Sequence, residues 1–237
     1  TGYGMVYIGA GNYVYALNET GAIEWQYYTG DSMYYSSPTV YEGKVYINGY
    51  YYIFCLNATT GAKIWDYSIS SYTYSSPAVA DEKVYFTSGY YVYCLDADNG
   101  DYIWDYYTGE YSYYSSPAIA DGKVYVGAGY SLYALNATTG SELWSYATSS
   151  YVYSSPAIAD DKVYVGSNDN KLYAFGPVQY YSLTFKFMDN EGIDDLTDDI
   201  SWILIESPTG DLLNLTSYTL SQAEAGEWIV RKIAYQK

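Results

Sequence analysis

From about residue 5 to residue 175, apolar residues alternate with polar ones or tyrosine in short runs, as in Lys-Val-Tyr-Val-Gly at 123–127 and Leu-Tyr-Ala-Leu at 132–135. Turn formers, Asp-Gly, Asn-Gly or a Pro-bearing segment, separate the runs. A period of two broken at such residues predicts short antiparallel strands, and no stretch shows the 3.6-residue period of a helix. Residues 115–146, SSPAIADGKVYVGAGYSLYALNATTGSELWSY, hold a complete set of four strands. The first follows Pro117, the second lies around Val124 to Gly127, the third runs Leu132 to Leu135, and the fourth passes through Trp144. Turns fall at Asp121-Gly122 and at the segment ending in Gly140.

The set recurs. Tyr-Ser-Ser-Pro ends at Pro38, Pro77, Pro117 and Pro156, spaced 39, 40 and 39 residues. Trp25, Trp65, Trp104 and Trp144 keep the same register, as do the Val-Tyr pairs beginning at Val6, Val45, Val84, Val124 and Val163. A period near 40 residues with four strands per unit predicts propeller blades, sheets that bury their faces only against neighbouring sheets. The fold class expected is all-β: a small β-propeller over 1–177, followed by a small β-sandwich-like module over 178–237. The first repeat lacks a first strand and the fifth lacks a Trp-bearing fourth. That count fits five blades, two of them short, or four complete blades with a spare hairpin and one blade shared by the two termini; the sequence does not choose. In the C-terminal module strands are expected near Ser182 to Met188, Ser201 to Ile205 and Glu227 to Ala234.

The segment Leu-Asn-Ala-Thr-Thr-Gly at 135–140 followed by Leu143-Trp144, preceded by Ser-Ser-Pro-Ala-Ile-Ala and Lys-Val-Tyr-Val-Gly, resembles the pyrroloquinoline-quinone-type β-propeller repeat. That family includes quinoprotein alcohol dehydrogenases, the propeller lipoprotein of outer-membrane protein assembly, and archaeal surface proteins. The C-terminal module more loosely resembles immunoglobulin-like or carboxypeptidase-regulatory-like sandwiches. The resemblance implies a bacterial or archaeal cell-surface protein, but the chain departs from the quinone enzymes. It has about half their eight blades, and its two cysteines, Cys55 and Cys94, are 39 residues apart rather than adjacent. Equivalent positions in successive blades lie roughly 10 Å apart, beyond disulfide reach. The two are read as small buried residues, with a disulfide as the alternative.

Charge and composition narrow the function. The net charge is −17 with a single arginine, which disfavours nucleic acid and anionic membranes. No apolar run reaches the roughly 18 residues of a membrane span. With no histidine there is no imidazole base or His-ligated metal, so no enzyme, cofactor or catalytic residue is expected. The acidic stretch 189–199 reads as a solvated loop, with calcium as the lesser alternative. The start at Thr1 suggests a removed targeting segment. Asn18, Asn57, Asn136 and Asn214 each begin an Asn-x-Thr sequon, three of them at one repeat position, and are read as extracellular glycosylation sites.

Tyrosine supplies 38 of 237 residues. Four columns recur. One is Tyr7, Tyr46, Tyr85, Tyr125 and Tyr164 in the second strand. Another is Tyr35, Tyr74, Tyr114 and Tyr153 before Ser-Ser-Pro. The others are Tyr15, Tyr93, Tyr133 and Tyr173, and Tyr27, Tyr67, Tyr106 and Tyr146. Packing explains part of this, and dense tyrosine on edges favours subunit contact. The function expected is a non-enzymatic, glycosylated, extracellular surface protein that assembles with copies of itself into a filament or sheath, its tyrosine ladders able to carry charge. The alternative is a ligand-binding or adhesive propeller domain, and a quinone-dependent enzyme fragment stands third.

Overall fold

The computed structural model describes residues 4–33, 35–112 and 114–176, and the backbone of 203–206 and 212–215. The chain divides into two compact units, Thr1–Pro177 and Val178–Lys237. The first unit is all β, the blades of a small propeller. Its five antiparallel sheets follow chain order. Sheet 1 holds β1 (Val6–Ala10), β2 (Tyr13–Leu17) and β3 (Ile23–Tyr28). Sheet 2 holds β4 (Thr39–Tyr41), β5 (Lys44–Asn48), β6 (Tyr52–Asn57) and β7 (Lys63–Ser68). Sheet 3 holds β8 (Ala78–Ala80), β9 (Lys83–Ser88), β10 (Tyr91–Asp96) and β11 (Tyr102–Tyr107). Sheet 4 holds β12 (Ala118–Ala120), β13 (Lys123–Ala128), β14 (Ser131–Asn136) and β15 (Glu142–Ala147). Sheet 5 holds β16 (Ala157–Ala159), β17 (Lys162–Ser167) and β18 (Lys171–Phe175). Among the described residues the two short sheets remain separate, so these residues form five blades, two of them short, and share no blade between the first and fifth repeats.

In the second unit β19 (Ile203–Glu206) pairs antiparallel with β20 (Leu212–Leu215). β19 overlaps the strand expected at Ser201 to Ile205. β20 is an additional strand, and it carries Asn214 opposite Leu204. The other strands expected there, and the acidic segment 189–199, lie outside the described residues.

Sheets 1 to 4 are each built on the same cross-strand triplet. Tyr46 of the second strand lies opposite Cys55 of the third, which lies opposite Trp65 of the fourth. Tyr85–Cys94–Trp104, Tyr7–Ala16–Trp25 and Tyr125–Ala134–Trp144 repeat it. A small residue between two large rings lets them approach, to centroid distances of 5.8–6.0 Å. That settles the cysteines: both are unpaired and fully buried, and burial pushes their thiols up to about 12. Held protonated, they pack as small apolar groups.

The sheets join through a clasp. The Tyr46 hydroxyl and the Trp65 indole N–H both donate to the Ala97 carbonyl of the next sheet, each at 3.0 Å. Tyr7 and Trp25 do the same to Ala58, and Tyr85 and Trp104 to Ala137. Two donors thus converge on one buried carbonyl, which has lone pairs for both. Beside that carbonyl each tryptophan lies flat on a glycine of the same turn, Gly61, Gly100 or Gly140, all at positive φ. A Cβ there would stand 2.6–2.7 Å from the indole. Apolar clusters fill each joint from sheet 1 through sheet 5. Among the described residues none joins sheet 5 back to sheet 1.

Candidate functional site

Antiparallel pairing puts the connections at two opposite ends of the sheets. One end carries the two-residue turns between first and second strands and the Asn-bearing turns between third and fourth. The Ala58 N–H donates to the Gly43 carbonyl across them at 2.8 Å. At this end the Oδ1 of Asn57 accepts from the N–H groups of Thr59 and Thr60, and that of Asn136 from Thr138 and Thr139. Asp96 caps its turn identically, accepting from Asp98 and Asn99. The turn therefore needs an oxygen, which Asn and Asp supply equally. Asn18 caps the first turn too, and its Nδ2 also donates to Glu24 at 2.6 Å.

The other end carries the second-to-third turns and the long linkers that return the chain to the next first strand. Ser-Ser-Pro organises those linkers. The first serine is tied to its own sheet: Ser36, Ser75, Ser115 and Ser154 accept from the N–H of Asn48, Thr87, Gly127 and Gly166. The second links sheet to sheet. The Ser37 N–H donates to Ser76 Oγ, Ser76 N–H to Ser116 Oγ, and Ser116 N–H to Ser155 Oγ, at 2.8–2.9 Å. Every link runs in the same direction.

Just before this serine chain the rings of Tyr35, Tyr74, Tyr114 and Tyr153 form a continuous row, with successive centroids 4.6, 5.4 and 5.4 Å apart. Tyr151 stacks on Tyr153 at 5.0 Å, and Tyr50 and Tyr72 extend the row beside Tyr74. Burial, and then a hydrogen bond with Tyr50, push the Tyr74 hydroxyl up to about 12. The second-strand column is placed differently. Tyr7, Tyr46, Tyr85 and Tyr125 each contact the tryptophan of their own sheet, and the first three are clasp donors. Tyr164, in sheet 5, is half-buried.

The two outer faces of the array break the burial pattern. Val45, Val84 and Val124 are 0% exposed, whereas Val6, their counterpart in sheet 1, is 49% exposed. Ile8 is 39% exposed where Ile47, Phe86 and Val126 are fully buried. On sheet 5, Leu172 is 73% exposed, and its counterparts Val14, Ile53, Val92 and Leu132 are 0%. Gly21, the counterpart of the glycines under tryptophan, has nothing within 4 Å of its Cβ position. Sheet 1 therefore presents the receiving half of a joint and sheet 5 the giving half, with no partner for either among the described residues. A cavity of about 370 Å³ lies against Ile8, Gly9, Ser37 and Pro38, beside the edge of β1 where the other sheets have a first strand.

No group of three or more His, Cys, Asp or Glu side chains placed to hold a metal occurs among the described residues, and no helix there is long and apolar enough to cross a membrane.

A profile for a repeat family described as outer membrane protein assembly factor BamB matches residues 10–116 and 91–179. BamB from Moraxella catarrhalis has a similar structure, with 20% identity and a TM-score of 0.67 over 91% of this chain and 67% of that one. Quinohemoprotein alcohol dehydrogenase from Comamonas testosteroni matches with 17% identity and a TM-score of 0.59, over 80% of this chain and 43% of the enzyme. The computationally designed Ika4 protein matches with 18% identity and a TM-score of 0.53, over 60% of this chain and 89% of the design. At these identities the likeness is one of fold. No curated protein gave a match.

Proposed function

This chain belongs to the repeat family of the outer membrane protein assembly factor BamB, and from that premise we propose that it is a non-catalytic cell-surface protein that assembles head to tail with copies of itself into a filament or sheath. The observation that carries the reading is the complementarity of the two open faces. Sheet 5 offers Leu172 and the Tyr164 hydroxyl; sheet 1 offers Val6, Ile8 and the turn at Gly21. Each group on one face is the counterpart of one that meets its mate at an internal joint. Burying an exposed Val, Ile or Leu side chain contributes about 1.5–3 kcal/mol, so three such residues are a sizeable drive. The contact is heterologous and extends rather than closing on itself.

The setting proposed is the outer cell envelope. The family's printed role and the four sequons support it, and Asn57 and Asn136 lie in turns of sheets 2 and 4, away from the two open faces. Against catalysis stand the lack of histidine and the two isolated, protonated cysteines. Any charge hopping through the assembly would follow the Tyr35–Tyr74–Tyr114–Tyr153 row.

The test uses one charge at each face. Ile8→Glu leaves the sheet 5 face intact, and Leu172→Glu leaves the sheet 1 face intact. By light scattering and negative-stain microscopy the unaltered chain forms polymers, each variant alone stays monomeric, and their equimolar mixture forms dimers and nothing larger. An unaltered chain that stays monomeric at high concentration would refute the assembly and favour the ligand-binding or adhesive reading. Polymers persisting in both variants would place the contact elsewhere.

A further inference from the structure

The linker end holds a second cavity, of about 220 Å³, which self-association does not use. Its walls are the rings of Tyr35, Tyr50 and Tyr74, with Ser32, Asn48 and Thr73 among them. Two polar atoms in this lining are unsatisfied. Asn48 Oδ1 and Ser32 Oγ are buried side-chain atoms without a hydrogen-bond partner, and Asn48 is 1% exposed. The orientation of the Asn48 amide follows from its neighbour: Nδ2 donates to the Ser75 carbonyl at 2.9 Å, and the flipped amide would set oxygen against oxygen. Leaving a buried acceptor without a donor is destabilising, so Asn48 is kept here at the expense of stability. The repeat itself does not ask for it. The equivalent residues are Gly9, Thr87, Gly127 and Gly166, and Thr87 makes the same reach to the next linker, donating to the Ser112 carbonyl at 2.8 Å.

We infer that this cavity is a binding site for one neutral pyranose ring of a glycan. Flat tyrosine faces accept the C–H face of a sugar. The two orphaned atoms select the ligand further. Asn48 Oδ1 needs a donor, and the hydrogen of the Ser32 hydroxyl needs an acceptor. A sugar hydroxyl is both, whereas an ammonium group can only donate. No Lys or Arg lines the cavity. The charge nearest to Ser32 in sequence is the Asp31 carboxylate, which accepts from the N–H groups of Ser32, Tyr51 and Tyr52 at 2.7–3.1 Å and disfavours an anionic sugar.

The site can be tested on the full-length chain carrying Leu172→Glu, so that assembly does not enter. The probes are methyl α-glucopyranoside, methyl α-mannopyranoside, methyl β-galactopyranoside, methyl glucuronide and tetramethylammonium, read by saturation-transfer NMR and titration. At least one neutral pyranoside binds with a dissociation constant on the order of 1 mM, and the glucuronide binds at least tenfold more weakly. Asn48→Thr and Tyr35→Ala each weaken binding at least tenfold. Tyr114→Ala, in the same ring row but outside the cavity, leaves it unchanged. Tyr35 is 64% exposed, so its variant keeps the test open should Asn48→Thr fail to fold. The proposal is overturned by no saturation transfer at about 50 mM neutral sugar, by preference for tetramethylammonium or the glucuronide, or by binding that Tyr114→Ala reduces as much as Asn48→Thr does.

Discussion

Gly100 and Gly21 close corresponding turns in different sheets, at φ 77° and 81°, the Gly21 turn being one residue shorter, and they differ sharply in what lies above them. Gly100 carries the Trp65 indole, while Gly21 carries nothing. Substituting alanine at each therefore separates the backbone cost from the cost of losing the clasp. Left-handed backbone at a non-glycine residue costs about 1–2 kcal/mol, offset by about 0.4–1 kcal/mol from the stiffer unfolded chain. Gly21→Ala should thus cost about 1 kcal/mol or less. At Gly100 the new Cβ would stand 2.7 Å from Trp65 Cδ2 and 2.8 Å from Cε3, well inside the optimum of about 3.5–4.0 Å for carbon pairs. The indole must lift away, which forfeits its hydrogen bond to Ala97, about 1 kcal/mol, and strains the joint by about 1–3 kcal/mol. Gly100→Ala should be the more destabilising by about 2–4 kcal/mol. Urea unfolding followed by tryptophan fluorescence, with both variants in the Leu172→Glu background, measures the difference. Equal midpoints for the two variants would mean that the tryptophan-on-glycine contact does not hold the sheets together.

Two further outcomes follow from groups already placed. Burial and a neighbouring thiol raise the hydroxyl pKa of Tyr46 and Tyr85 far above the usual phenol value of about 10; their stabilising contribution is complete below that value and is lost as pH rises beyond it, because the unfolded chain ionises first. Absorbance at 295 nm should show a set of tyrosines that titrate only together with loss of circular dichroism, and full reversible ionisation near pH 11 without unfolding would contradict the buried clasp. Glycopeptide mapping of native material should find Asn57 and Asn136 occupied more completely than Asn18, whose Nδ2 is engaged by Glu24; unmodified Asn57 and Asn136 would remove a support of the extracellular setting.

Strand positions and the five-repeat count were legible because both depend on local alternation and on turn residues that recur, such as Asp121-Gly122. The number of blades was not. Whether β1–β3 and β16–β18 share one sheet depends on contacts about 150 residues apart, which no period encodes. The small residue opposite tryptophan was visible as Ala16, Cys55, Cys94 and Ala134, and its burial follows from the register. The clasp was hidden, because its acceptor is the Ala97 main-chain carbonyl, and a carbonyl leaves no trace in side-chain identity. The two tyrosine columns looked alike in sequence, yet sheets spaced roughly 10 Å apart keep second-strand rings such as Tyr46 and Tyr85 with their own tryptophans. Of these two columns, the linker rings, free of that spacing, are the ones that meet one another. Asn48 was the missed signal: it stands alone among Gly9, Thr87, Gly127 and Gly166, and column-by-column reading of the second strand would have found it.

The separation of the two ends of the sheets also has a consequence for wetting. Every linker adds its tyrosine to one end and every Asn-bearing turn faces the other, so lengthening the array by any number of sheets never mixes the two. A ribbon built this way has one aromatic side and one hydrated side at every length. Such a body would adsorb with a preferred orientation, rings toward a less polar surface and Asn-bearing turns toward water, and contact-angle measurements on a deposited film should register the difference between its two sides.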